Sequence, residues 1–320
     1  MSLYHTMNAL ELLDSPAVNG EAVKKALVAA GVPENQVTVK TVRGPSGSTD
    51  FVKTWIYGSE GKHRGGQAPT LGIVGRLGGI GARPERIGLV SDGDGAVSAV
   101  AVAMKLGAMA QKGDVLKGDV FVSTHICPNA PTLPHDPVPF MGSPINMTIA
   151  NSEEMSEALD AVLSIDTTRG NRIINSRGFA ISPTVKEGWI LRVSEDLLEI
   201  MASVTGELPK TFALSMTDIT PYGNGLYHMN SILQPCTATK APVVGVALTA
   251  QSMVPGCATG SAQPSDIEAA VRFAIETAKA FGEGRCSFYN KDEFQLALRR
   301  YGTMNKLQGM GSLPPTNPQV

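Results

Sequence analysis

The 320-residue sequence is poor in aromatics, at 5% of residues, and in charge, at 18% Asp, Glu, Lys and Arg. Lys and Arg number 27 against 29 Asp and Glu, a formal net charge of -2. Without a basic excess the chain lacks the electrostatic footprint of a nucleic-acid binder, so no nucleic-acid partner is expected. Low charge combined with 42% hydrophobic residues also excludes a solvated, disordered chain. Cysteine is scarce: Cys127, Cys236, Cys257 and Cys286 stand far apart and form no CxxC pair. That spacing excludes a zinc knuckle and suits reduced thiols. No stretch reaches the roughly 18 uncharged apolar residues that a spanning helix needs. The opening MSLYHTMNALELLDSP likewise lacks a basic region ahead of an apolar run. A cytoplasmic protein with no membrane partner is the expectation.

What the sequence does contain is alternation. NGEAVKKALVAAGV has Asn19 placed to cap and apolar residues at helical spacing. QVTVKTV and DFVKTWIYG alternate as strands across a Gly/Pro/Ser turn and predict a hairpin. TLGIVG is a short continuous apolar run suited to a strand covered on both faces. Residues 95–112 predict a helix apolar nearly all round, followed by strand DVFVST and a proline-rich loop from Cys127 to Pro144. Helix NSEEMSEALD, strands AVLSID and RGFAI, helix SEDLLEIMASVTGE, strand TFALS, a short helix near Leu226 to Leu233, strand PVVGVAL and helix PSDIEAAVRFAIETAKAF complete the pattern. This order predicts one three-layer α/β/α domain over residues 1–300, built on a central mixed, mostly parallel sheet, with a flexible tail at 301–320.

In open α/β sheets ligands meet the carboxyl ends of the strands. The residues expected there are Arg76 after TLGIVG, Asp92 and Asp94 after RIGLVS, His125 after DVFVST, Asp166 after AVLSID, Asp218 after TFALSMT, and Cys257 beyond PVVGVAL. Each has an ordinary alternative. Asp94 caps a helix, an effect of about 1 kcal/mol. Asp166 bonds the backbone of Thr167 and Thr168 in a turn, and His125 is a satisfied polar residue. The functional alternative joins Asp92, His125 and Asp166, with Asp94 as a fourth candidate, around one hard or borderline cation. Arg76 then grips an anionic group as a bidentate anchor, with Asp218 beside it on the substrate side. His135 and Asp136, in the proline-rich loop, read as turn residues. GRLGGIGARPERIG is not a phosphate loop, because Pro84 follows and no GKS or GKT does.

The order of these segments over about residues 7 to 281 resembles the catalytic domain of zinc aminopeptidases of the glutamyl or deblocking type. LELLDSPAVNGEAVKKAL is similar to their opening helix pair, SDGDGAVSAVAVAMKL to the stretch whose first aspartate bridges two metals, and LSIDTTRGN to the strand carrying another metal aspartate. SMTDITPYG resembles their Gly-Thr-Asp-Ala segment, and GSAQPSDIEAAVRFAIETAKAF their closing helix. The sequence also looks like an uncharacterised bacterial and archaeal domain-of-unknown-function family. The resemblance implies a zinc exopeptidase-like fold and metal roles for Asp92 and Asp166. It is incomplete. The first ligand position carries Arg76, THICPN holds no acid to serve as general base, and no histidine stands near PGCATG. The lid or dimerisation insertion is missing too, leaving helix faces that suit a homo-oligomer.

Three functions remain open on these residues. One is a divergent metallopeptidase-like hydrolase of a small amide or peptide-like substrate, with a single zinc, manganese or cobalt ion on Asp92, His125 and Asp166. Another is a non-catalytic protein that binds a small ligand or partner in the same cleft. The third is a racemase-like enzyme using the thiols of HICPNAPT and LQPCT, Cys127 and Cys236.

Overall fold

Asn19 accepts a hydrogen bond from the Ala22 N–H and so starts the helix Gly20–Ala29 (α2), as its residue type predicts. Ahead of it lies a helix Ser2–Asp14 (α1). The computed structural model describes residues 1–15, 17–76, 89, 93–127, 130, 132–133, 140–214, 230–252 and 262–307, with the backbone alone at 132, 133, 140 and 141.

The predicted hairpin forms from Val37–Gly44 (β1) and Gly47–Ile56 (β2), paired antiparallel. Leu71–Gly75 (β3), Val120–Ile126 (β4), Ala161–Thr167 (β7) and Val243–Thr249 (β11) are apolar runs buried along almost their whole length. Strands covered on both faces have this composition, and these four form the parallel centre of the sheet. Between β4 and β7 run a two-stranded ladder of Thr132–Leu133 (β5) with Phe140–Met141 (β6), and a helix Met147–Glu154 (α4).

Antiparallel strands close both sides of the centre. The hairpin joins through β2 against β4. On the far side Gly178–Ile181 (β8) and Val185–Lys186 (β9) pair with β11, and Trp189–Ile190 (β10) pairs with β9. The order across the main path is β1-β2-β4-β3-β7-β11-β9-β10. TFALS does not add a strand; Thr211 makes only an isolated bridge to Ile181. A run of five residues between two longer elements carries too little pattern to separate a strand from a bridge.

One face of the sheet is covered by α2, the helix Asp94–Ala110 (α3) and the helix Pro264–Gly282 (α6), with α1 packed on α3 and α6. Helix α3 buries 14 of its 17 residues, which is why its sequence shows almost no polar stripe. Its N-terminus sits directly on the strand ends. A Cβ at Gly95 would lie 2.1 Å from the Arg76 carbonyl oxygen and 2.5 Å from that of Ile165. Only glycine permits that approach. Helix Glu195–Thr205 (α5) packs on α6, and a further amphipathic helix, Lys291–Tyr301 (α7), follows it in the chain.

The opposite face carries α4 and a 3-10 helix, Ser231–Thr237. Ser123 Oγ donates to the Glu154 carbonyl of α4, and Ser164 Oγ donates to the Ile232 carbonyl of the 3-10 helix. The result is a three-layer α/β/α architecture on a mixed sheet, as the alternation predicts. No helix among the described residues is long and apolar enough to cross a membrane.

Candidate functional site

Three central strands end level with one another. Gly75 pairs with Thr124 on one side and Ile165 on the other. The residues that follow, Arg76, His125 and Asp166, therefore stand side by side at the carboxyl edge. Alternation along the strands turns them away from α3 and towards the face that carries α4. His125 and Asp166 flank Arg76 with about 10 Å between their backbones, two strand spacings. His125 and Asp166 thus stand at one edge of the sheet with the strand that leads into Arg76 between them.

Arg76 is 4% exposed, and its Nη1 donates to Asn151 Oδ1 and to Glu154 Oε2, each at 2.6 Å. Glu154 has no exposed side-chain surface; its other oxygen, Oε1, lies 2.8 Å from His125 Nδ1. Burial alone pushes the Glu154 carboxyl up, but the Arg76 charge and the His125 contact outweigh it and hold the group below the ordinary glutamate range. An ionised Glu154 can only accept, so the His125 nitrogen that faces it, Nδ1, carries a proton. Phe51, opposite His125 in the β2–β4 pairing, sets its ring 5.5 Å from the imidazole, tilted at 53°.

Asp94 begins α3 without a side-chain capping bond from Gly93 ahead of it. It is 1% exposed, and its Oδ2 lies 2.8 Å from Nη2 of Arg169. Arg169 follows β7 with a left-handed φ of 56° and is itself buried. Its N–H donates to the Leu248 carbonyl, and its own carbonyl accepts from Thr249 Oγ1. Asp166, on the same strand end, is 8% exposed and accepts the Thr167 N–H through Oδ1 at 2.8 Å. Of the two backbone bonds expected of it only this one forms; the Thr168 N–H donates to the Leu248 carbonyl instead.

These contacts decide how well the described donors suit a metal. Glu154 and Asp94 each face a guanidinium, and Arg76 stands between His125 and Asp166. A divalent ion placed there would sit against fixed positive charge, so the described residues do not fit one. Among the described residues no group of three or more His, Cys, Asp or Glu is arranged to hold a metal ion. Asp92, Asp218, His135, Asp136 and Cys257 lie outside the described residues.

The thiols among the described residues, Cys127, Cys236 and Cys286, are buried. Cys127 is buried and its Sγ donates to the Ser48 carbonyl at 3.7 Å. Burial pushes the Cys236 thiol up to about 12. Cys286 reaches about 12 as well, through burial and then the nearby Asp196 charge. A thiol held that high is not a thiolate at neutral pH, which argues against a two-thiol proton transfer.

Sequence reasoning missed Glu154, Asn151 and Arg169. One signal pointed to the first. An arginine directly after an apolar, doubly covered strand needs a buried carboxylate partner, which Glu154 supplies from 78 positions away.

A family model described as a protein of unknown function, DUF1177, matches residues 40–311. No curated protein matches the chain. Solved structures similar to it include a mutant of tomato leucine aminopeptidase, at 11% identity and TM-score 0.49, with 85% of this chain and 60% of that one covered. The chain thus spans 60% of the length of the tomato enzyme. Another is the bottromycin maturation enzyme BotP in complex with Mn, at 12% identity and TM-score 0.48, with 87% and 71% covered.

Proposed function

The chain belongs to the DUF1177 family, whose description assigns no activity, and from that premise we propose that it is a hydrolase of small amide or peptide-like substrates. His125 is the proton-transfer group and Glu154 orients it. The substrate lies over the carboxyl edge of β3, β4 and β7. Water attacks the amide carbonyl carbon while Nε2 of His125 takes its proton; the C–N bond then breaks and the same proton passes to the leaving amine. The ring ends the cycle as it began. Asp166 faces the substrate from β7, and Asp218 belongs to the substrate side on its sequence position. Because the described donors do not fit a divalent ion, no step is assigned to one.

The observation that carries this reading is the 2.8 Å contact between His125 Nδ1 and Glu154 Oε1, with Glu154 fully buried. A carboxylate at Nδ1 fixes the tautomer and orientation of an imidazole that works through Nε2. The test is a panel of aminoacyl and acyl amides incubated with the protein in 18O-water. Incorporation of the label into a carboxylic acid product, dependent on His125, is the expected result. Its absence across the panel would contradict the reading.

A second reading is supported by the two arginine–carboxylate pairs, Arg76 with Glu154 and Arg169 with Asp94. If they have replaced catalytic metal for good, the cleft binds a small ligand without turnover. A rise in melting temperature with a panel compound, without product, would favour this reading.

A further inference from the structure

Arg76 has no role left as a surface anchor, since it is 4% exposed and its Nη1 donates to Asn151 and Glu154. Burying a guanidinium against a carboxylate costs both groups their hydration, and apolar packing between β3 and α4 would join them as well or better. What the ion pair adds is a defined charge on Glu154. That charge matters at the next contact, because Oε2 meets Arg76 and Oε1 meets His125. A protonated carboxyl could donate to Nδ1 and reverse the ring tautomer; an ionised one can only accept.

We propose that Arg76 is the positioning residue of this site. Through its ion pair it keeps both oxygens of Glu154 as acceptors, which fixes the His125 proton on Nδ1 and its lone pair on Nε2. Asn151 completes the arrangement from one turn earlier on α4, as Oδ1 accepts from the same Nη1 and sets the orientation of the guanidinium. Ser123 holds the end of that helix by donating to the Glu154 carbonyl. The guanidinium thus stands where the resemblance places a metal ligand, and acts on the imidazole through a carboxylate. This deepens the reading of His125 as proton-transfer group and rests on it, yet it concerns the state of one ring and is read without substrate.

The experiment is long-range proton–nitrogen correlation on the full chain labelled with 15N-histidine, the His125 ring being assigned by its loss in His125→Gln. The expected wild-type pattern is a protonated Nδ1 with an unprotonated Nε2. Arg76→Met should replace that single pattern with an Nε2–H form or a mixture, and Arg76→Lys, which keeps the charge, should restore it at least in part. If Arg76→Met fails to fold, Glu154→Gln severs the same pair with Arg76 in place and should also lose the single pattern. If neither folds, the charge-free pair Arg76→Met with Glu154→Leu is read in the same way. An unchanged Nδ1–H pattern in any of these variants would overturn the proposal. A negative amide panel with the expected ring result would refute only the hydrolase reading.

Discussion

Glu153 and Glu154 are chain neighbours at the end of α4, about 100° apart around its axis, and meet different partners. Glu153 meets Lys40 and Lys53 of the hairpin, near solvent. Glu154 turns inward to Arg76 and His125 with no exposed surface. One residue's offset therefore separates a surface ion pair from the centre of the candidate site.

The two should differ sharply in stability measurements. Glu154→Ala leaves Arg76 buried without its carboxylate, which costs about 3–5 kcal/mol. Glu153→Ala should cost about 1 kcal/mol or less, and added salt should shrink that further. Urea denaturation of both variants, with and without salt, checks the contrast. Equal losses would contradict it.

Acid should weaken the native state through Glu154. Its carboxyl is held below the ordinary range in the fold, so its contribution is fully present above the unfolded glutamate pKa, about 4.3. It is lost as pH falls from there through the lower folded value. Denaturant midpoints measured downward from pH 6 should show this loss in wild type and a flatter profile in Glu154→Gln.

Arg169 offers a test in which two effects oppose each other. Its φ of 56° is strained for a side-chain-bearing residue, so Arg169→Gly relieves about 1 kcal/mol or more. The same change abandons buried Asp94, a loss of about 3–5 kcal/mol. Net destabilisation of roughly 2–4 kcal/mol is expected by chemical denaturation. A stabilised Arg169→Gly variant would show that the pair contributes little.

Cys236 and Cys286 should resist thiol-blocking reagents in the native protein at pH 8, since both thiols are held up to about 12. Peptide mapping after brief labelling checks this. Rapid modification of Cys236 without unfolding would reopen a thiol mechanism.

Much of the frame was legible because its signals are periodic or local. The all-apolar helix α3, the cap at Asn19 and the strand runs of β3, β4, β7 and β11 follow from spacing alone. The alignment of His125 with Asp166 was legible from strand-end position. The partners were not. Glu154 lies in NSEEMSEALD, which reads as a helix running to Asp160, whereas α4 ends at Glu154 and turns that side chain inward. Arg76 reads as an anchor for an external anion because a sequence does not show that its anion is internal. Pairings across 78 positions are set by tertiary packing, which leaves no trace in local spacing.

The most direct test compares steady-state hydrolysis by wild type and His125→Gln, on an amide that wild type turns over and with both proteins shown to melt at similar temperatures. A fall in kcat of about 10²- to 10⁴-fold with KM little changed is expected. Equal kcat in the two proteins would contradict it.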